Sequence, residues 1–238
     1  MVNEPSTGGA RLTRVTYKIL IAGLLVGATF AALATPALAT PALATPALAT
    51  PALAVAGIPE GFLLRETAAA KKDNNPETNW AIDKATTAML VANPCNAEGL
   101  GSAGRVAART VTYTAVPDYQ KTEQLILYSS ATAAVQAMAD LRQAAVTCRA
   151  TKSAGSSYRY TARKVALGDD GLALTGQVYY GKKAGVGGDR DLVVRRGSAL
   201  LVYAEAGEWG KPAKADFTRQ TRDAKRMLAK VCQVANCA

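Results

Sequence analysis

The chain has 238 residues, with 28 Lys and Arg against 18 Asp and Glu, a formal charge of +10 at pH 7, and no histidine. The missing imidazole excludes Ser–His–Asp and Cys–His nucleophilic catalysis, histidine proton shuttling and histidine-ligated metal sites. Its four cysteines are too scattered for an iron–sulfur cluster or an all-cysteine zinc site, and no cofactor is expected.

Arg11, Arg14 and Lys18 precede an uncharged run from Ile19 to Phe30, and small residues follow at Ala32-Leu33-Ala34. That order predicts a Sec-type signal peptide over residues 1–34, with an apolar run short for a membrane span. No Arg-Arg pair supports the twin-arginine route, and no cysteine ahead of Cys95 offers a lipoprotein anchor. Residues 35–56 are low in complexity: Thr-Pro-Ala-Leu-Ala begins at Thr35 and recurs from Thr40, Thr45 and Thr50. Each copy ends in an acceptable cleavage signal, so the cut falls anywhere from Ala34 to Ala54. A proline in each copy prevents one continuous helix, leaving either an expanded cleavage region or a semi-extended spacer. The product is expected outside the cytoplasm, secreted or cell-wall associated, with no integral membrane span after cleavage.

Residues 57–89 read as an irregular lead-in, with Phe62, Leu63 and Leu64 anchoring it to the core. Trp80 to Val91 is expected as a short helix or loop. A single domain then spans residues 90–238. Thr110 to Ala115 alternates threonine with Val, Tyr and Ala, the period of a half-buried strand. Gln124 to Tyr128 is more evenly apolar and therefore more central. Ser129-Ser130 offers an N-cap for a helix from Ala131 to Cys148, whose buried stripe is Val135, Met138, Leu141, Ala145 and Cys148. Four strands follow, at Tyr158 to Ala166, Leu172 to Tyr180, Asp191 to Arg196 and Ala199 to Glu205; Arg196-Gly197-Ser198 turns the last two into a hairpin. Asp216 is placed to cap a closing helix with Phe217, Ala224, Leu228 and Val231 inward. Strands and helices do not alternate, so a doubly wound parallel sheet is disfavoured. The expected class is α+β: an antiparallel sheet of about six strands with helices on one face.

An even cysteine count in an exported chain reads as two disulfides among Cys95, Cys148, Cys232 and Cys237. Four cysteines allow three pairings; the closeness of Cys232 to Cys237 favours that pair and Cys95–Cys148. Gly99 to Gly104 matches G-x-G-x-x-G but follows a loop and precedes a strand, the wrong context for a dinucleotide. Gly185 to Asp189 is expected as a mobile connection. Arg219, Arg222, Arg226 and Lys230 recur at helical spacing and form a candidate basic surface for anionic wall polymer or lipid headgroups. Tyr158, Tyr160, Tyr179, Tyr203 and Trp209 could line an amphipathic cleft, since each has an apolar body and a polar tip. The acids Asp169, Asp170, Asp189, Asp191, Glu205 and Glu208 could in principle pair for hydrolytic work, but they fall at expected turns and their spacing says nothing about convergence. Nucleic acid is a poor partner for an exported chain.

Four stretches carry a resemblance: the strand and Ala-rich helix from Leu125 to Cys148, Ala166 to Gly171, Asp191 to Leu200, and the basic closing helix. Over residues 90 to 238 these resemble the actinobacterial extracytoplasmic sensor domains of the PknH-like type. The resemblance implies an antiparallel sheet flanked by helices, two intramolecular disulfides, a hydrophobic cleft for an unidentified ligand and no known catalysis. The function expected is therefore a secreted, non-enzymatic, sensor-like domain for a small amphipathic or envelope-derived ligand. The alternative is an interaction protein held electrostatically to an anionic surface, and a hydrolase working through carboxylates ranks far behind.

Overall fold

In β3 (Tyr119–Tyr128), Leu125 and Leu127 enter one hydrophobic cluster while Ile126 and Tyr128 enter another on the opposite side. The same parity splits Leu201 and Tyr203 from Leu200 and Val202 in β8 (Ala199–Gly207). A strand buried on both sides must be covered on both sides, because successive side chains alternate faces. The computed structural model describes residues 57–71 and 74–238. The signal-peptide and repeat expectations on residues 1–56 lie outside the described residues.

Eight strands form one antiparallel sheet in the order β1-β2-β3-β8-β7-β6-β5-β4. The others are β1 (Thr78–Asp83), β2 (Arg105–Ala115), β4 (Ala150–Ser153), β5 (Ser156–Lys164), β6 (Asp170–Tyr180) and β7 (Lys183–Arg196). Helix α2 (Ala131–Thr147) covers one face through Ala134, Ala137, Met138, Leu141 and Ala145. The short α1 (Glu66–Ala69) and α3 (Thr218–Leu228) lie on the other side with Leu63, Phe217, Ala224 and Met227. Helices therefore pack on both faces, not one, and the sheet has eight strands rather than about six. The α+β class stands.

Local chemistry explains the element ends. Ser130 is extended, and its hydroxyl accepts from the Ala133 N–H at 3.1 Å, as an N-cap should. Gly197 turns the β7–β8 hairpin with φ +53°; a side chain there would meet the Asn236 carbonyl at 2.0 Å. That close approach lets the C-terminal tail dock, with Ser198 N–H donating to Asn236 O and Asn236 N–H to Ser198 Oγ. Cys232–Cys237 closes this tail, and Cys95–Cys148 ties the loop before β2 to the end of α2. Both favoured pairings are present.

Several expectations change. Trp80 belongs to β1, its ring tilted against that of Tyr113 at 4.8 Å, with the Lys121 ammonium 5.3 Å and 4.5 Å from the two rings. Phe62 and Leu63 do anchor the lead-in, reinforced by Glu123, which accepts from the Leu64 and Arg65 N–H groups and the Tyr203 hydroxyl. Burial holds the Glu123 carboxyl above its ordinary range. Gly185 to Asp189 lies within β7: Gly188 and Asp189 are paired on both sides, and Gly185 to Gly187 form an irregularity between paired residues. Val135 is exposed, its place on the α2 stripe taken by Ala134 and Ala137. Asp216 does not cap α3; it sits in the preceding 3₁₀ turn (Lys214–Phe217), accepting from Ala213 N–H and Arg190 Nε.

Asp169 stitches the β5–β6 connection to the β7–β8 turn, accepting from the Gly197 N–H and from Arg196, each at 2.7 Å. Partial burial raises its pKa, but these hydrogen bonds and Arg195 outweigh it and hold the carboxyl below the usual carboxylate value. Because the folded value is depressed, the contribution is complete above the unfolded value of about 3.9 and lost as pH falls through the folded one. Asp169→Asn is therefore expected to melt below the parent at neutral pH, with the difference vanishing in acid. A gap that persists unchanged at pH 2 would reject this account.

Candidate functional site

Helix α3 has two working faces. Gln220, Ala224 and Met227 are buried against the sheet. Thr218, Thr221, Arg222 and Lys225 follow at i, i+3, i+4 and i+7, and this second stripe borders an open groove. The opposite wall is Arg163 at the end of β5 and Val165, Ala166 and Leu167 of the β5–β6 connection. Lys214 and Phe217 of the 3₁₀ turn close one end. The groove holds about 710 Å³. An adjoining hollow of about 480 Å³ continues it over Pro212 and Ala213, sharing Arg163, Lys214 and Phe217.

The groove is amphipathic by construction. Val165, Leu167 and Phe217 belong to the hydrophobic cluster beneath, so the floor is apolar and fixed by the core. The rim carries Arg163, Lys214, Arg222, Lys225 and Arg226, and no Asp or Glu lines it. Asp223 lies 3.6 Å from Arg222 and 4.0 Å from Arg226, so it offsets part of that charge from behind. Arg163 stands 6.0 Å from the centroid of the Phe217 ring.

Arg190 builds this end of the molecule. It is fully buried, and its Nε donates to Asp216 at 2.7 Å. Its other nitrogens reach Gln177 Oε1, Gly176 O, Asp189 O and Gly210 O, with the Trp209 ring 4.8 Å away. Its own carbonyl accepts from Gln220 of α3. One side chain thus fixes both the 3₁₀ turn and the loop ahead of it.

The chain is similar to the crystal structure of the extracellular domain of PknH from Mycobacterium tuberculosis, at 10% identity and a TM-score of 0.46. That match covers 72% of this chain and 93% of the other. No protein-family model and no curated protein matches the chain. Site residues rest on geometry alone.

That geometry divides the sequence-derived candidates. Of the four basic residues, Arg222 and Arg226 rim the groove. Arg219 instead pairs at 2.9 Å with the buried Glu205, and Lys230 turns back onto the Phe62 carbonyl and ring. The five aromatic candidates do not share a cleft. Tyr203 is buried on the α3 side, donating to Glu123, and burial pushes its hydroxyl pKa up. Tyr158 and Tyr160 project from the other face of β5, with ring centroids 5.2 Å apart. Tyr179 stacks under Arg159, and Trp209 donates to the Glu205 carbonyl beside Arg190. Lys214, Lys225 and Arg163 were not singled out from the sequence. The 218-221-222-225 spacing carried the signal for Lys225, but nothing local marks Arg163. Among the acids, Asp189 and Asp191 lie on β7 instead of at turns, and both line one small cavity.

Proposed function

We propose that this chain is a secreted, non-enzymatic binding domain of the cell envelope that holds an anionic amphiphile in the α3 groove. The carrying observation is the pairing of an apolar floor with five cationic side chains and no lining carboxylate. Two disulfides support an oxidising, extracytoplasmic setting. Among the described residues, no helix is long and apolar enough to cross a membrane.

Magnitudes assign the roles. Exposed ion pairs contribute about 0.2–1 kcal/mol each, whereas each buried methylene contributes up to about 0.8 kcal/mol. The tail therefore sets affinity, and the rim selects the sign of the head group. Titration calorimetry with monomeric decyl phosphate, inorganic phosphate and decyl maltoside separates the two terms. Decyl phosphate is expected to bind at least about tenfold more tightly than either control. The double variant K225E/R226E is expected to lose about three- to thirtyfold in affinity while folding normally. Equal binding of decyl maltoside would remove the anionic head group from the proposal.

A second reading, electrostatic adhesion to an anionic wall polymer, is favoured by the exposure of Arg222 and Arg226, whose side chains are 69% and 64% accessible. It predicts wall association released by moderate salt and indifferent to chain length in the amphiphile.

A further inference from the structure

On the face opposite the groove, strands β3, β7 and β8 carry a smaller cavity of about 200 Å³. Its polar lining is Asn93, Gln120, Thr122, Tyr160, Asp189 and Asp191. The two aspartates are two apart on β7 and so share a face; Arg190 between them points to the other side, where Asp216 and Gln177 hold it. Asp191 is only 5% exposed. No Lys or Arg lines the cavity, in a chain that has 28 of them.

The hydrogen bonding of this pair is incomplete. The Tyr158 hydroxyl donates to Asp189 Oδ1, made possible by Gly176, where a Cβ would lie 2.3 Å from that oxygen and 2.5 Å from the hydroxyl. Asp189 Oδ2 is buried and has no hydrogen-bond partner among the described residues. Asp191 receives no hydrogen bond from a cation or backbone N–H there. Burial, with repulsion from the neighbouring Asp189, raises the Asp191 pKa well above the ordinary value. Asp189 Oδ2 therefore keeps unused acceptor capacity in a cavity that no basic side chain lines. Buried acceptors without donors are costly and rare.

We infer that this cavity binds a small primary ammonium group, with Asp189 and Asp191 accepting its N–H bonds and Tyr160 forming an aromatic wall against its charge. A cation offsets the acidity of a lining without Lys or Arg, and an ammonium N–H supplies the donor that Asp189 Oδ2 lacks. Asn93, Gln120 and Thr122 can serve a second polar group on the same molecule. A calcium ion fits worse, since it takes six to eight oxygens, while no cluster of three acidic or cysteine side chains occurs among the described residues. The cavity is too small for an amphiphile, and it stands independently of the groove.

The test uses ethanolamine and choline as chlorides with the oxidised domain at neutral pH, followed by amide shifts and calorimetry. Ethanolamine is expected to bind in roughly the millimolar range, as a ligand of so few atoms allows, moving the amides of Gln120, Asp189 and Asp191. Choline has no N–H to donate and is expected to bind at least about tenfold more weakly. Asp191→Asn removes the charge without changing shape and should fold, since a neutral side chain suits the burial; it is expected to lose at least about tenfold in affinity. Thr122→Val provides a second variant, expected to fold with a somewhat lower melting temperature, since its hydroxyl meets Thr112 and Gln120, and to weaken ethanolamine binding. Equal binding of choline, undiminished binding by Asp191→Asn, tighter binding of calcium chloride, or no shift at about 100 mM ethanolamine would each overturn the assignment.

Discussion

Replacing Arg190 by methionine is expected to destabilise the domain by about 3–5 kcal/mol, the cost of breaking a buried ion pair from one side. The guanidinium is wholly enclosed, yet every direction it faces holds an acceptor: Asp216, Gln177 and three backbone carbonyls. Methionine fills much of the volume but removes the guanidinium's donors from all of them, and leaves a carboxylate only 13% exposed with the Ala213 N–H but without its cation. Two controls define the mechanism. Arg190→Lys keeps the charge but cannot reach along so many directions, so it is expected to recover only part of the loss. Asp216→Asn removes the partner charge and is expected to cost less, because the four other hydrogen bonds of Arg190 remain. Urea unfolding at neutral pH measures all three. A loss below about 1 kcal/mol for Arg190→Met would show that the cluster is ornamental. Because Arg190 also fixes the turn bearing Lys214 and Phe217, amphiphile binding is expected to weaken even where Arg190→Lys remains folded.

The disulfides make the second large prediction. They close loops of 53 and 5 residues, which in the chain-entropy picture correspond to about 4 and about 2 kcal/mol. Paired serine replacement of Cys95 and Cys148 is therefore expected to lower the melting temperature by roughly 8–16 °C, about twice the effect of replacing Cys232 and Cys237. The first bridge holds the loop carrying Val91 and Asn93 against α2, so its loss should also impair the small cavity. The second bridge holds only the tail that docks on the Gly197 turn. Equal melting of the two variants would show that loop length is not the controlling quantity.

The central strands were legible because their residues report burial directly. Leu125-Ile126-Leu127 and Leu200-Leu201-Val202 lack alternation, and that evenness already signalled cover on both faces, a consequence the one-sided expectation did not draw. The two missed strands are the two edges. Strand β4 is exposed at all four positions, and β1 buries nothing fully, so neither imposes a pattern on its sequence. Gly185, Gly187 and Gly188 suggested a connection, but Gly188 lies in the ladder where a side chain would strike the Gly176 carbonyl at 2.3 Å. The aromatic candidates failed as a group for a reason of register. Whether Tyr158 and Tyr203 share a face depends on strand parity across the sheet, and no local spacing encodes it. Groove and cavity alike draw residues more than 50 positions apart, brought together by pairing alone.

A fatty acid bearing a nitroxide spin label far along its tail tests the groove most directly. Its broadening of side-chain NMR signals reports which side of the sheet the tail enters. The account predicts strong broadening of Val165, Leu167 and Phe217, with Leu174, Val193 and Val202 on the α2 side remaining sharp. Broadening centred on the α2 side, or spread evenly over the surface, would contradict it.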